Sequence, residues 1–415
     1  MTTAIINARV FDGESVLDGK TVVIEGQTIL AVSDKVSDGA TVIDAQGATL
    51  LPGLIDAHVH TRIPHLRVAL TFGVTTELEM MGHWTPEERK EVAECDDMAD
   101  LRTAEFGLTA PGGHPSELHG PRGGKGRGGP PPGAGSAPSP HPPEHGHRRG
   151  IVAPNATNPE EAVKFVAARV ADGADYIKIM IEEGTVLKAP GLPMLTNDTI
   201  LTAVNEAHRQ GKLAIAHTLT AAATKQAIAA GIDGLAHIFL DQLHTPELIS
   251  AIATSGAFVT PCLVLNSSIM GNCPTLFAED SRVRSKLSAE WLATLSSSFN
   301  TFADGNFASV LATVGALHQA GVDILVGTDV SVPQPHLGGL AHGASVHHEL
   351  QMLVKAGLTP LEALRAATAV PARRFGLSDR GRIAPGMRAD LVLVGGNPTS
   401  DIGDTLSIRK VWRRG

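Results

Sequence analysis

The segment LPGLIDAHVHT, residues 51–61, places two histidines two positions apart after a short apolar run. Leu54 and Ile55 in this run suit a strand that is buried inside a barrel. Side chains at positions i and i+2 of a strand point to the same face, so His58 and His60 leave the strand from one side. Two neutral imidazoles at the end of a strand are half of a metal site. A pair of hydrogen-bonded histidines has the same pattern, so this motif alone does not distinguish the two.

Eight apolar runs along the chain have the character of strands. They occupy residues 54–60, 73–80, 101–109, 174–181, 212–219, 234–239, 257–263 and 323–329. Helical patterns separate most of them, and the clearest begins at Asn158, which is followed by a proline and two acidic residues. Arg102 and Glu105 interrupt the third run. Strand and helix alternating eight times predicts a (β/α)8 TIM barrel.

Both ends of the chain have a different pattern from the middle. Residues 3–50 contain β-branched residues in partial alternation, with turns marked by Asp12-Gly13 and Gln46-Gly47. Residues 389–396 and 407–415 follow the same pattern. The two ends could therefore pair into one small β-sandwich beside the barrel, or each could separately decorate it.

Four further residues of metal-ligand type lie late in their own apolar runs: Lys178, His217, His237 and Asp329. Catalytic residues of a (β/α)8 barrel come from the C-terminal ends of several strands, so these side chains and the histidine pair are expected to meet. Each residue also has an ordinary interpretation: a strand lysine, a core histidine or a helix N-cap aspartate. One shared site explains all of them together.

The chain resembles the amidohydrolase superfamily. The segments that carry the resemblance are PGLIDAHVH, GADYIKIM, KLAIAHTL, GLAHIF, ILVGTD and DRGRIAPGMRADLVLVGGNP. They are similar to its prolidase-like and imidazolonepropionase-like branch, and the likeness covers nearly the whole chain except residues of about 115–150. The resemblance implies a barrel over residues 53–382 and a β-sandwich domain built from residues 1–52 and 383–415.

The same resemblance implies a two-metal site. His58, His60 and Asp329 would hold one ion, and His217 and His237 the second. Lys178, carboxylated by carbon dioxide to a carbamate, would bridge both ions. Imidazole and carboxylate ligands suit divalent ions, with Zn²⁺ as the expected metal. A hydroxide bridging two ions would be the nucleophile, and Asp329 would transfer its proton.

Several functions fit this ligand set. The leading hypothesis is a binuclear hydrolase of an amide C–N bond in a small, apolar N-acyl or aryl amide, or in a dipeptide-like substrate. A mononuclear deaminase or cyclic amidohydrolase with unmodified Lys178 is the first alternative. A lactonase or esterase on the same site is the second. A non-catalytic scaffold is disfavoured because none of the six ligand-type residues is missing.

Candidate substrate contacts are His114, Trp84 and Leu263, which lie near strand ends, and Tyr176, which shares the face of Lys178 and could equally be barrel packing. His114 opens a segment of residues 111–150 that contains ten prolines and twelve glycines. Such a composition has too little apolar surface to build a core, and it predicts a long, mobile loop at the C-terminal face of the barrel. The other histidines of this loop are expected to be solvated.

Charge and cysteine content exclude other classes of protein. The net charge is −9 and no basic stripe is present, which argues against nucleic-acid or anionic-membrane partners. The three cysteines are scattered without a CxxC motif, as is typical of a reducing cytosol. No signal-peptide pattern and no apolar run of about 18 residues is found, so the expected location is cytoplasmic. The resemblance also suggests a homo-oligomer.

Overall fold

The computed structural model describes residues 2–17, 19–34, 39–119 and 155–415. These residues form a mixed α/β structure. Its strands are β1 Thr2–Ile6, β2 Arg9–Phe11, β3 Val16–Leu17, β4 Thr21–Glu25, β5 Thr28–Ser33, β6 Thr41–Asp44, β7 Thr49–Pro52, β8 Leu54–Val59, β9 Val74–Glu79, β10 Asp100–Thr103, β11 Ile177–Met180, β12 Ala214–His217, β13 Gly234–Ala236, β14 Phe258–Thr260, β15 Leu391–Val394 and β16 Ile408–Trp412.

The α-helices alternate with the strands through the middle of the chain. They are α1 Ile63–Thr71, α2 Pro86–Glu94, α3 Pro159–Ala171, α4 Asn197–Arg209, α5 Ala221–Ala229, α6 Pro246–Ser255, α7 Leu263–Ile269, α8 Thr275–Glu279, α9 Ser281–Arg284, α10 Ala289–Leu295, α11 Phe307–Gln319, α12 Ala344–Lys355, α13 Pro360–Ala366 and α14 Ala369–Arg374. Short 3₁₀ helices cover Ser116–His119, Thr185–Leu187, Pro335–Leu337 and Ile402–Leu406.

Strands from both chain ends pair in one sheet. Its order is β16-β15-β7-β2-β3, so the C-terminal strands β15 and β16 continue a sheet that the N-terminal strands begin. A second sheet, of order β5-β4-β1-β6, comes from the N-terminal segment alone. Ile5 and Ile24 of this second sheet share one hydrophobic cluster with Leu50, Leu391 and Trp412 of the first. The two ends of the chain are therefore held together by backbone pairing and by a common core.

Parallel strands dominate the middle of the chain. Two sheets have the orders β10-β9-β8 and β11-β12-β13-β14, and all their pairs are parallel. Isolated parallel bridges extend this pairing from Leu108 to Ile179, from Val259 to Ile324 and from Val59 to Val330. Seven of the eight predicted strand runs contain a strand, which confirms them. The eighth, residues 323–329, contains no strand; parallel bridges pair its Ile324 with β14 and the next residue, Val330, with β8.

One hydrophobic cluster collects side chains from all eight of these runs. Its members from the runs, or directly adjoining them, are Ile55, Ala57, Leu78, Met80, Ala104, Tyr176, Ile215, Ala236, Phe258 and Leu325. Ala372 and Leu377 close the same cluster from α14 and the segment after it. Alternate residues of parallel strands fill an enclosed interior in this way. The polar site residues lie beyond this packed layer, toward the C-terminal ends of the strands.

Helix starts follow the predicted signals. The Asn158 side chain accepts a hydrogen bond from the Glu161 amide at the start of α3, with proline at the first position. Thr359 and Glu362 cap each other reciprocally at the start of α13. Such caps satisfy amide groups that have no partner inside the helix. The predicted loop lies outside the described residues from residue 120 onward. No helix in the described part of the chain is long and apolar enough to cross a membrane.

A buried ion-pair cluster joins the parallel strands to the C-terminal segment. The Asp100 carboxylate, in β10, contacts the guanidinium groups of Arg380, Arg388 and Arg413, with nitrogen–oxygen distances of 3.0 Å to Arg388 and 3.5 Å to Arg413. Burial alone would raise the pKa of Asp100, but the surrounding arginines hold it well below its usual range. The carboxylate is therefore ionised in the folded protein and neutralises several buried cations.

We expect Asp100→Asn to destabilise the protein by about 3–5 kcal/mol, because loss of one partner leaves buried charges uncompensated. The pKa of Asp100 is lower in the folded protein than in the unfolded chain. Its contribution to the free energy of unfolding is therefore complete above the unfolded-state pKa and is lost as the pH falls through the folded-state pKa. Urea denaturation at several pH values measures both effects. Asp96→Asn, which removes an exposed partner of Arg414, is the matched control and should change the unfolding free energy by less than about 1 kcal/mol.

Candidate metal centre

The six predicted ligand residues come from five different strand runs and lie in the C-terminal halves of those runs. His58 lies in β8 and His60 directly follows it. Lys178 lies in β11 and His217 ends β12. His237 follows β13, and Asp329 precedes the bridge at Val330. Parallel strands present their C-terminal ends at the same side of a sheet, which is why residues so distant in sequence meet here.

Asp329 is the centre of the cluster. Its Oδ1 atom lies 2.9 Å from His60 Nε2 and 3.2 Å from His58 Nε2, and its Oδ2 atom lies 3.7 Å from His237 Nε2. Despite these distances, Oδ1 has no partner in hydrogen-bond geometry among the described residues. Ligand atoms of His58, His60 and Asp329 all lie within 4.8 Å of one another. A bound cation requires ligand atoms that lie this close together, with their lone pairs directed to a common point.

A second group of imidazoles adjoins the first. The His237 ring lies 4.7 Å from the His217 ring and 4.7 Å from the His58 ring, measured between centroids. Both ring nitrogens of His237 and the Nε2 atom of His217 are buried without a hydrogen-bond partner in the described structure. Leaving such atoms unsatisfied costs roughly 1–3 kcal/mol each. Coordination of a metal would satisfy one nitrogen of each ring.

The Lys178 amine points into the same space. Its side chain is only 1% exposed, and Nζ has no hydrogen-bond partner among the described residues. Burial lowers the pKa of Lys178 to about 8, although Asp329, Cys262 and Glu79 act in the opposite direction. An amine with this pKa is partly neutral near neutral pH. Only the neutral amine can react with carbon dioxide.

Burial keeps three of the four imidazoles uncharged. Burial first, and then the charge of Lys178, lower the pKa of His58 to about 4. Burial lowers the pKa of His217 and of His237 well below the usual range. Burial alone would raise the pKa of Asp329, but the adjacent His58 and His60 hold it well below its usual range. His58, His217 and His237 are therefore neutral, the state in which imidazoles bind metals. Burial alone would lower the pKa of His60, but its contacts with the Asp329 and Glu79 carboxylates raise it to about 10, so a metal must displace the His60 proton.

Three residues at or beside the cluster have an unusual backbone conformation. His237, Cys262 and Asp329 follow three consecutive strand runs, and all three have a positive φ, of 76°, 50° and 58°. Residues other than glycine rarely adopt this conformation, which costs of order 1–3 kcal/mol, and such residues cluster at functional sites. The turn re-directs each side chain toward the strand ends of its neighbours.

Supporting residues hold the ligands in place. Asp56 accepts hydrogen bonds from the Thr328 hydroxyl at 2.7 Å and from the Thr328 amide at 3.1 Å, which ties β8 to the segment before Asp329. Glu79 lies 3.8 Å from His60 Nδ1 and accepts hydrogen bonds from the Met81 amide and the Thr103 hydroxyl. Such partners orient ligands and are as important for metal affinity as the ligands.

The four predicted substrate contacts lie in different surroundings. The His114 ring stacks on the His217 ring at 4.5 Å, and His114 Nδ1 lies 2.6 Å from Glu117 Oε1. The Tyr176 hydroxyl donates to the carbonyl oxygens of Glu79 and Arg102, and its ring packs in the interior cluster. Trp84 and Leu263 are buried in the large hydrophobic core. His114 is therefore the one of the four in ring contact with a ligand candidate.

Sequence reasoning missed two polar residues of the cluster. In the sequence, Cys262 is one of three scattered cysteines without a motif. In the structure, its sulfur lies within 4.8 Å of ligand atoms of His58 and His237. Glu182 Oε2 lies 3.4 Å from His217 Nε2 and has no hydrogen-bond partner in the described residues. Both residues follow strand runs, so the strand-end rule that selected the other candidates would have found them.

Comparison with known proteins identifies the family of this chain. The sequence profile described as the amidohydrolase family matches residues 137–415. The chain belongs to this family. It is 27% identical over 264 residues to ochratoxinase of Aspergillus niger, an alignment that covers 62% of this chain and 48% of ochratoxinase. The match thus spans about half the length of this curated relative.

Solved structures match the whole chain. A crystal structure of an amidohydrolase is 26% identical, with a TM-score of 0.73, and covers 100% of this chain and 98% of its own. A Xaa-Pro dipeptidase with bound methionine in its active site is 23% identical, with a TM-score of 0.71, and covers 99% of this chain and 98% of its own. These amidohydrolase neighbours identify the fold as an α/β fold of the TIM-barrel type.

We expect Zn²⁺ to raise the thermal stability of chelator-treated protein, because a metal satisfies the orphaned ligand atoms. A ligand at 100 times its Kd stabilises by about 2.7 kcal/mol. Thermal melts with and without Zn²⁺ measure the gain. His237→Ala should lose much of it. His208→Ala, whose ring pairs with Asp233 at the surface, should keep it. An equal gain in both variants would contradict a metal centre at His237.

Proposed function

We propose that this protein is a metal-dependent hydrolase that cleaves an amide C–N bond of a small molecule. One observation carries the proposal: four imidazoles, an ionised carboxylate and a buried lysine converge near strand ends, and several of their buried polar atoms have no hydrogen-bond partner among the described residues. Packing alone does not explain so many unsatisfied buried polar atoms in one place. The family membership supports the same chemistry.

We assign His58, His60 and Asp329 to one divalent ion and His217 and His237 to a second, with Zn²⁺ as the expected metal. Lys178, as its carbamate, would bridge them. The donor set of nitrogen and oxygen atoms fits such ions. When bound, the metals supply an acidified water and polarise the substrate carbonyl. The protein contributes the ligands, their orientation and a proton acceptor.

Asp329 is the proposed proton-transfer group. Its carboxylate lies at the centre of the cluster and is ionised, so it can accept a proton and return it to the leaving nitrogen. His114 is the proposed substrate contact, because it is partly exposed and stacks on His217. Buried Glu79 holds the outer side of His60. These roles need no movement of the backbone.

The substrate proposed is an apolar N-acyl or aryl amide, or a dipeptide-like compound. The relatives support this class only in general terms, since their names include an ochratoxinase and a Xaa-Pro dipeptidase. We also propose that the parallel strands close into a barrel over residues 53–382. The two end sheets would form a β-sandwich of residues 1–52 and 383–415, supported by their shared hydrophobic cluster.

A panel of N-acyl amino acids, prolyl dipeptides and aryl amides, with matched esters and lactones, tests the activity. We expect hydrolysis of at least one amide. Asp329→Asn retains the shape of the side chain and should lower turnover by roughly a hundredfold or more, from the usual size of general acid–base effects. Asp233→Asn, which changes the surface partner of His208, should retain turnover. Near-normal turnover of Asp329→Asn would remove this residue from the mechanism.

Lys178→Ala tests the carbamate. Elemental analysis should find about two divalent ions per chain in the wild type and fewer in the variant, because six ligand residues exceed the needs of one tetrahedral ion. A small carboxylic acid in the buffer should restore part of the metal content and part of the activity, since it occupies the space of the missing carbamate. Lys225→Ala, on the exposed face of α5, is the control.

One bound ion with full activity would instead support the mononuclear alternative, in which Lys178 is unmodified. Retention of both ions and of the wild-type rate by Lys178→Ala would exclude a bridging role for this residue. Preferred hydrolysis of esters or lactones by the wild type would change the substrate class while leaving the metal assignment intact.

A further inference from the structure

Cys262 lies at the metal centre although neither the two-metal assignment nor the proposed mechanism uses it. The residue follows β14, is fully buried, and places its sulfur within 4.8 Å of ligand atoms of His58 and His237. Its one hydrogen bond in the described structure is a weak contact of 3.6 Å from Sγ to the Thr260 carbonyl oxygen. The other two cysteines lie elsewhere, and Cys273 is exposed.

Two neighbours of the thiol indicate a bound metal independently of the cysteine. His237 has two buried ring nitrogens without a hydrogen-bond partner, and Lys178 Nζ is likewise buried without one, among the described residues. A small apolar side chain at position 262 would fill the same space but would place no donor atom beside these groups.

The backbone at Cys262 is held in a conformation that aims the thiol. Its φ of 50° and ψ of 54° are left-handed, immediately before α7. The buried Glu349 carboxylate accepts hydrogen bonds from the Leu263 amide at 2.9 Å and the Val264 amide at 2.8 Å. Asn266 donates to the Pro261 carbonyl oxygen at 3.0 Å. These contacts on both sides of Cys262 maintain a strained turn, as expected where a side chain must be positioned for function.

We propose that the Cys262 thiolate is a direct metal ligand at this centre, placed between His58, which is assigned to one ion, and His237, which is assigned to the other. This inference rests on the proposed metal-dependent function and adds a sulfur donor to its nitrogen and oxygen set. Binding replaces the thiol proton by the metal, and the proton is released to solvent. A soft sulfur ligand favours Zn²⁺, Co²⁺ and Cd²⁺ over Mn²⁺ and Mg²⁺. Cys262 would therefore determine which metals the centre retains.

Cobalt substitution tests the ligand directly. Chelator-treated protein is reloaded with Co²⁺, and metal content and absorption spectrum are recorded together. We expect a thiolate-to-cobalt charge-transfer band in the near ultraviolet for the wild type and its loss in Cys262→Ser. Cys95→Ser and Cys273→Ser are matched controls and should retain the band. We also expect Cys262→Ser to lower the affinity for Cd²⁺ relative to Mn²⁺ by roughly tenfold or more.

A second measurement needs no variant. The ¹¹³Cd resonance of the wild-type protein moves strongly when sulfur is a ligand, so it reports on Cys262 even if Cys262→Ser folds poorly. Full cobalt loading without the band, or a cadmium resonance typical of nitrogen and oxygen ligands alone, would overturn the proposal while leaving the metal-dependent hydrolase intact. Failure of the wild type to bind any metal would instead contradict the proposed function itself.

Discussion

The Lys178 amine lies fully buried beside neutral imidazoles, and this desolvation is the constraint on which the site depends. A permanent cation in this position would repel any metal and would be expensive to bury. Burial lowers the pKa of Lys178 to about 8 and that of His58 to about 4. The same loss of water thus prepares both kinds of group for coordination. Asp329, at the centre, stays ionised against the effect of burial because His58 and His60 lower its pKa, and Asp329 and Glu79 in turn raise the pKa of His60 to about 10.

The fold positions these ligands through turns with positive φ, which other buried residues stabilise. Three successive strand runs end in residues with positive φ, and each turn needs external support. The segment after β14 receives it from Glu349, a carboxylate whose pKa burial raises to about 8. The eighth run is tied to β8 through Asp56 and Thr328. Buried polar side chains that do not touch the metal centre therefore determine where its ligands lie.

The end sheets contribute to the same framework. β15 pairs with β7, which leads directly into β8 and its histidines. Asp100, Arg380, Arg388 and Arg413 connect the C-terminal segment to β10 by buried ion pairs. Removing one partner of such a cluster exposes the full desolvation cost of the others. The position of the first strand of the site is thus anchored from both ends of the chain.

The sequence by itself determined the alternation of strands and helices, the capped helix starts and the six ligand candidates. These features depend on local patterns: apolar runs, Asn–Pro and Thr–Pro starts, and polar residues at run ends. The strand-end rule then places His58 and Asp329 together although 270 positions separate them in the printed sequence.

Only the tertiary structure decided which other polar groups join the cluster. Cys262 and Glu182 also stand near strand ends, but only their distances to His237 and His217 show that they join the cluster. The positive φ at Cys262 depends on Glu349, 87 positions later in the sequence. The sequence around Asp100 likewise has no local pattern that predicts its contacts with three arginines. Contacts of this kind arise from packing between distant segments, which no short stretch of sequence encodes.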